Sequence, residues 1–159
     1  AMAIHAKRAE ISDWHLEVLG TDFQHEAVEE ARLGRYTREE CTIENSKEYL
    51  EIGCKQINAD EFTIAPEIKK YTNFKVHNIL DSFDELGTFN MICCRSLLKT
   101  MLPVVRESFL EKSYNCLQPG GYLVLNNDES IMGLSSQYIP VDGCRGLYQK
   151  KNPPIISEG

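Results

Sequence analysis

The chain has 159 residues, of which 42% are hydrophobic and 26% charged, and its 17 basic and 24 acidic residues give a formal net charge of −7. This composition is typical of one globular domain, and the acidic balance argues against a general binder of nucleic acids or anionic membranes. Because no apolar run approaches the roughly 20 residues that a membrane helix needs, we expect a cytoplasmic protein without direct membrane insertion.

The first third predicts a helix, a strand and a second helix. Residues 1–13 are typical of the end of a helix. Residues 14–20 alternate apolar and polar side chains, which predicts a strand that runs into a loop at Asp22. From 24 to 33 the apolar residues have helical spacing, and Gly34 stands where a C-terminal cap is expected.

The middle of the chain has a weaker pattern. Residues 37–73 are predicted to be an irregular, mostly exposed insert with a short helix at 46–52, because charged residues dominate them. A strand is predicted at 74–79. The near-continuous apolar run 89–94 predicts a central strand, buried on both faces of a parallel sheet.

The last third predicts a helix at 103–117, a turn at 118–121 and a strand at 122–125. A segment at 146–150 is expected to pair at a sheet edge, and residues 151–159 are expected to form a frayed tail.

The cysteines and histidines do not predict a disulfide framework or a metal site. None of the six cysteines forms a C-x-x-C pair, and the adjacent Cys93 and Cys94 are interpreted as small buried hydrophobes in a reducing compartment. The four histidines lack metal-ligand spacing, so we expect no metal.

Helices between strands predict a layered α/β fold with a mainly parallel sheet. Ligands of such sheets bind at the carboxyl ends of the strands, which singles out Asp22, 78–80, 95–97 and 126–130. An acidic residue after the second strand of a nucleotide site accepts hydrogen bonds from ribose hydroxyls, about 20 residues beyond a glycine turn. Asp22 fits that role, although aspartates are also common in loops, and the glycine turn would fall at or before residue 1.

An ordered set of motifs carries a family resemblance over residues 1–150. The motifs are Gly20-Thr21-Asp22, Ala31 to Tyr36, Asn78-Ile79-Leu80-Asp81, Phe89 to Arg95, Leu117 to Leu123 and Glu129-Ser130. The chain resembles the CheR-type chemotaxis receptor (protein-glutamate) methyltransferases. The resemblance covers their C-terminal S-adenosylmethionine-binding domain without its first-strand motif.

The resemblance implies an α/β fold of class I methyltransferase type, a Rossmann-like doubly wound sheet that is incomplete here at its N-terminus. It also implies S-adenosylmethionine and S-adenosylhomocysteine as cofactor and product. The implied reaction is methylation of glutamate side chains on the cytoplasmic helices of chemoreceptors (methyl-accepting chemotaxis proteins), which sets chemotaxis adaptation. The insert at 37–73 is similar to the family's small β-subdomain, a docking surface in some members.

The resemblance also implies the site residues. The cofactor-binding set is Asp22, Phe23, Asn78, Ile79, Arg95, Ser96 and Leu97. In it, Asp22 binds the ribose, Asn78 and Ile79 flank the adenine, and Arg95 with Ser96 lies by the methionine portion and the methyl-transfer site.

Arg95 is the one residue expected to be catalytic. A glutamate carboxylate is already ionised near neutral pH and attacks the activated methyl group in line, so catalysis is mostly positioning. The guanidinium forms a planar fork for a carboxylate, either that of the cofactor or that of the incoming glutamate. The alternative interpretation is a surface arginine paired with Glu107 or another acid.

Three departures from the family pattern bear on activity. The first-strand glycine turn is absent, Ser96 and Thr100 replace an asparagine and a tyrosine, and residues 126–129 replace Gly-His-Ser-Glu. Without the first strand two strand edges lack a partner. We therefore expect an inactive fragment whose strands pair directly, exchange with a second copy as a homodimer, or depend on a further segment. The alternatives are a degenerate, non-catalytic CheR-like binding or scaffold module and, third, a small-molecule methyltransferase.

Overall fold

A computed structural model describes residue 10 and residues 13–40 and 51–152. The chain divides into two compact units, a first unit of residues 1–78 and a second unit of residues 79–159. Three predicted segments fall wholly or largely outside the described residues: the helix end at 1–13, the helix at 46–52 and the tail at 151–159.

The first unit contains a parallel strand pair and the helix that follows its first strand. Strand β1 (Val18–Asp22) pairs in parallel with β5 (Thr72–Val76). Helix α1 (His25–Leu33) ends at Gly34, whose φ of 57° is left-handed and whose N–H donates to the Glu30 carbonyl at 2.9 Å. The predicted helix is therefore confirmed at its C-terminal cap. The two strands predicted at 14–20 and 74–79 are also present. They occupy Val18–Asp22 and Thr72–Val76, where they pair with each other.

The same unit contains a small antiparallel sheet in place of the predicted irregular insert. Its strands are β2 (Arg35–Thr37), β3 (Cys54–Gln56) and β4 (Glu61–Ile64), in the order β2-β4-β3. The short helix α2 (Pro66–Lys69) connects β4 to β5. Strands of three or four residues are too short to show an alternation in the sequence, which is why the prediction missed them.

The second unit is a four-stranded mixed sheet with one long helix. Strand β6 (Phe89–Cys93) pairs in parallel with β7 (Leu117–Val124), and helix α3 (Pro103–Cys116) connects them, beginning with proline as predicted. Strand β9 (Leu147–Lys150) pairs antiparallel with both β7 and β8 (Tyr138–Pro140). The segment predicted at an edge is therefore an inner strand, since the unpredicted β8 forms the edge. The most deeply buried aliphatic side chains of this unit are Leu110, Leu117, Leu123 and Ile131.

The prediction that residues 89–94 form a central strand buried on both faces is wrong. Strand β6 pairs only with β7 within the described part of the chain, so it is the edge of its sheet. Asn90, Met91 and Cys93 are accordingly exposed. Cys94 is buried at 6% exposure, so the interpretation of the two cysteines as buried hydrophobes is right for Cys94 and wrong for Cys93.

The predicted turn at 118–121 is a bulge inside β7. The register passes from Phe89 opposite Leu117 to Met91 opposite Tyr122. A Cβ at Gly121 would lie 2.9 and 3.0 Å from two backbone carbonyl oxygens, so only glycine fits there. The bulge lets β7 continue along β6 without ending the sheet.

None of the helices that the structure describes is long and apolar enough to cross a membrane.

Candidate functional site

The carboxyl ends of β1 and β5 lie side by side in the first unit. The Asp22 carbonyl accepts the His77 N–H at 2.8 Å, and Asp22 Oδ1 accepts the Gln24 N–H at 2.9 Å. The second bond fixes the turn from β1 into α1. Asp22, Phe23 and Asn78 are exposed at this edge. Parallel pairing thus brings the predicted ribose residue to the same edge as the residues that follow β5.

The loops after β6 and β7 meet at the corresponding edge of the second unit. The Arg95 guanidinium donates to Asn126 Oδ1 at 3.2 Å, and Asn126 Nδ2 contacts Ser96 Oγ at 3.2 Å. Arg95 and Leu97 are exposed, so both remain accessible to a ligand. The structure therefore brings together the two predicted loops of this unit and holds Arg95 through an amide rather than through Glu107.

Glu129 ties these two loops together from inside. It is 6% exposed, and its Oε2 accepts the N–H groups of Ser96 at 2.9 Å and Asn126 at 3.0 Å. Its Oε1 accepts the Lys99 N–H at 3.1 Å. Burial by itself raises the pKa of this carboxyl and nearby Asp128 adds to that, but the three backbone N–H donors outweigh both and hold the pKa below its usual value. Glu129 is accordingly ionised at neutral pH.

The sequence contained a signal for Glu129, since the residue lies in the predicted loop 126–130. The sequence did not predict that the Glu129 carboxylate is buried, because the backbone N–H groups that bind it are not part of the side-chain pattern.

Ser96 has a left-handed backbone with a φ of 60°, alone among the non-glycine residues that the structure describes. This conformation costs an ordinary L-residue about 1 kcal/mol or more, whereas asparagine tolerates it. The hydrogen bond from its N–H to Glu129 holds it in place. The resembling family has an asparagine at this position. Its tolerance of the left-handed backbone explains that choice, in addition to the ligand-binding role that the resemblance implies.

The other two departures in this region have local contacts. Thr100 Oγ1 donates to the Leu97 carbonyl at 2.7 Å, so its side chain closes a turn of its own loop. Asp128, the added carboxylate, forms an exposed ion pair with Lys99 at 3.2 Å, and the hydrogen bond from Lys99 lowers the pKa of Asp128.

Ile79, predicted beside the adenine, is half-buried against the core of the second unit. Its carbonyl accepts a hydrogen bond from Lys112 Nζ at 2.7 Å. The sequence gave no indication of this lysine, which lies 33 residues away on α3.

A cavity of about 410 Å³ in the first unit lies away from the predicted site residues. Ten residues line it: Ala31, Arg32, Gly34, Tyr36, Ile64, Ile68, Lys69, Thr72, Asn73 and Phe74. Its two cations donate to backbone carbonyls, Arg32 to Phe74 and Lys69 to Leu33. They therefore serve the packing of α1 on its neighbours.

Comparison with known proteins gives a consistent result. Residues 1–146 match the model of a protein family described as CheR methyltransferase, SAM binding domain. The chain is 28% identical over 136 residues to "Chemotaxis protein methyltransferase Cher2" of Pseudomonas putida, covering 85% of this chain and 50% of that protein. It is 27% identical over 132 residues to "Chemotaxis protein methyltransferase 1" of Pseudomonas aeruginosa, covering 83% and 48%. For the "Chemotaxis protein methyltransferase" of Listeria innocua the values are 26% over 136 residues, 83% and 49%. The chain thus spans about half the length of the curated relatives it matches.

Proposed function

The chain belongs to the CheR methyltransferase family through its S-adenosylmethionine-binding domain, and we propose that the natural protein containing it methylates glutamate side chains of chemoreceptors. The family and the fold class predicted from the sequence, a class I methyltransferase fold, are confirmed by this match. The proposed substrate is the cytoplasmic helices of the receptors, which makes the cytoplasm the proposed compartment and leaves nucleic acid without a role.

The observation that carries this proposal is the edge of the second unit where Arg95, Ser96 and Asn126 meet. The edge is formed by the carboxyl ends of two parallel strands, where ligands of such sheets bind. It holds an exposed guanidinium whose position is fixed by a neighbouring amide at 3.2 Å. We assign Arg95 to the carboxylate of either the cofactor or the incoming glutamate, and Ser96 and Leu97 to the methionine portion.

The proposal also assigns residues to the nucleoside part of the cofactor. Asp22 presents an exposed carboxylate at the end of β1, a group that accepts hydrogen bonds from both hydroxyls of a ribose. Phe23 supplies an apolar ring that is 66% exposed. Asn78 and Ile79 are assigned to the adenine. The carboxylate acceptor and the apolar groups at these positions fit the ribose and the adenine of an adenosyl sulfonium ligand.

The chemistry places modest demands on the protein. S-adenosylmethionine supplies an electrophilic methyl group: a glutamate oxygen forms the new bond to carbon while the sulfur keeps the electron pair of the broken bond. No proton moves, because the glutamate carboxylate is already ionised at neutral pH. Arg95 then serves to orient a carboxylate and to neutralise part of its charge. A residue acting as a general base is therefore not required.

The proposal includes exchange of strands with a second copy. Within the described residues β1 pairs only with β5, and β6 only with β7, so each leaves one edge with unpaired backbone groups. An unpaired edge is a template for another strand. Light scattering on a dilution series of this 159-residue chain tests the exchange: a dimer fraction that grows with concentration supports it, and a monomer that unfolds in one transition at every concentration contradicts it.

A second candidate function is a non-catalytic CheR-like binding module. The observation that favours it is Thr100, whose hydroxyl bonds to the Leu97 carbonyl where the resembling family has a tyrosine. Such a module would keep the fold and lose methyl transfer.

Calorimetric titration with S-adenosylhomocysteine tests the proposal, on this chain and on the longest natural chain that contains it. We expect micromolar binding by the longer chain. Asp22→Asn keeps the Oδ1 acceptor for the Gln24 N–H, so it should retain stability and lose about tenfold in affinity through the weaker acceptor for the ribose. Asp22→Ala should lose both the stability that the Gln24 hydrogen bond provides and the affinity for S-adenosylhomocysteine.

Substitution of Arg95 distinguishes a methyltransferase from a module that only binds the cofactor. Lysine keeps the charge without the planar fork, so Arg95→Lys should lower the rate of methyl transfer about tenfold or more. Binding of S-adenosylhomocysteine without methyl transfer by the wild-type chain would favour the non-catalytic module. The absence of binding by the longer chain would overturn the enzymatic proposal.

A further inference from the structure

Lys112 makes an unusual set of contacts for a lysine on a long helix. Its Nζ donates to three successive backbone carbonyls, those of Ile79 at 2.7 Å, Leu80 at 3.0 Å and Asp81 at 2.9 Å. It also lies 5.1 Å from the centroid of the Phe83 ring. An ammonium group has three N–H donors, so this site uses all of them.

The three carbonyls belong to the segment that connects β5 to β6. Residues 77–83 form turns and bends, outside any strand or helix. Three consecutive carbonyl dipoles that converge on one point repel each other unless a cation lies between them. Lys112 therefore acts as an internal counter-charge that folds the loop around its own ammonium group.

We propose that Lys112 is a positioning residue for the adenine end of the cofactor site. The inference rests on the proposed function, which places Ile79 beside the adenine. Lys112 does not touch the cofactor in this arrangement. It fixes the Ile79 carbonyl and hence the backbone of the loop that carries Ile79. Removing the ammonium group should loosen the loop in the free protein and weaken binding, with little effect on the methyl-transfer step itself.

The chain offers a matched control in Lys150. Its Nζ also donates to backbone carbonyls of the second unit, those of Tyr114 at 2.7 Å and Leu117 at 2.6 Å. It lies 4.3 Å from the Tyr114 ring centroid. Lys150 thus has the same kind of contacts but lies on β9, and these hydrogen bonds go to Tyr114 and Leu117 and not to residues 79–81. Substitution of either lysine should reduce stability, but only substitution of Lys112 should weaken binding of the cofactor.

The experiment compares Lys112→Met and Lys150→Met in the longest natural chain that contains this sequence. Hydrogen exchange of the amides at 79–83, without cofactor, should become faster in Lys112→Met alone. Titration with S-adenosylhomocysteine should show affinity reduced about tenfold for Lys112→Met and changed less than about twofold for Lys150→Met. The KM for S-adenosylmethionine should rise while kcat stays within about twofold. Lys112→Gln serves as a second variant if the methionine variant does not fold.

Two results would overturn the inference. One is equal affinity for S-adenosylhomocysteine in the two methionine variants, which would make Lys112 a stabilising residue only. The other is unchanged hydrogen exchange at 79–83 in Lys112→Met, which would show that the loop does not depend on the lysine. The proposed function fails on a separate observation, the absence of binding by the wild-type protein, and the role of Lys112 toward the cofactor would fail with it.

Discussion

Glu129→Gln removes the charge that ties the two loops of the second unit together. The carboxylate accepts three backbone N–H groups through two oxygens. A glutamine retains one oxygen, which can keep the two bonds now made by Oε2, and turns an NH₂ group toward the third donor. We therefore expect a large loss of stability for a change that preserves the volume of the side chain.

The magnitude follows from the three bonds. Hydrogen bonds to a charged acceptor contribute about 1.5–3 kcal/mol each and neutral ones about 0.5–1.5, so the two retained bonds lose about 1 kcal/mol each. The third N–H loses its acceptor and faces the NH₂ group of the glutamine, which is also a donor. This costs about 1–3 kcal/mol. Because Glu129 is 6% exposed, water does not replace the lost acceptor. We expect Glu129→Gln to lower the free energy of unfolding by about 3–5 kcal/mol.

Urea unfolding followed by circular dichroism measures this loss at pH 7, and hydrogen exchange at the three amides locates it. The same change at the exposed Glu107 on α3 is the control, with an expected effect within about 0.5 kcal/mol. A loss below about 1 kcal/mol for Glu129→Gln would refute the assignment of Glu129 as the tie between the loops.

The pH dependence gives a second check on the same residue. The pKa of Glu129 in the folded chain is lowered from its ordinary 4.5, so its contribution to stability is present above that pH. The contribution is lost as the pH falls through the lowered folded pKa. The difference between wild type and Glu129→Gln should therefore be constant above pH 4.5 and shrink below it. A difference that grows toward acid pH would contradict the reasoning.

Three further changes test the backbone and burial arguments. Ser96→Asn should raise the free energy of unfolding by about 0.5–1 kcal/mol in urea, because asparagine tolerates the left-handed backbone; a loss would contradict this. Gly121→Ala should cost about 3 kcal/mol from its close carbonyl oxygens, against about 1 kcal/mol for Gly143→Ala, whose Cβ meets nothing; equal losses would remove the steric explanation. Alkylation at pH 8 with peptide mapping should modify the exposed Cys93 well before Cys94, since burial raises the pKa of Cys94 to about 11; equal rates would show that Cys94 is accessible.

The sequence predicted the elements whose ends carry their own signals. Helix α1 was found by its spacing and by Gly34, and α3 by its spacing and by Pro103, because capping residues act on the backbone next to them. The loops of the candidate site were predicted from the order of strands and helices. Parallel strands place successive carboxyl ends at one edge, and within the second unit Arg95 and Asn126 do meet there.

What the sequence did not predict depends on residues far apart. The edge position of β6 was missed because an apolar run shows that a strand has apolar side chains but does not show which strands pair with it. The bulge in β7 was interpreted as a turn, since both use the same glycine pair. Glu129 binds the N–H groups of Ser96 and Lys99, and Lys112 binds the Leu80 carbonyl, all about 30 residues away. Backbone groups of this kind are common to nearly all residue types, so the sequence does not mark them.

The pairing of the strands has a consequence for how the chain tolerates interruption. Every strand ladder that the structure describes is closed within residues 13–78 or within residues 79–152, since β1 pairs with β5, the small sheet is complete in itself, and β6 to β9 form the third sheet. A nick in the backbone between Asn78 and Ile79 would therefore leave each ladder whole on one piece. A cut at this junction should therefore spare the strand pairing and weaken cofactor binding, because Asn78 and Ile79 are the residues proposed for the adenine.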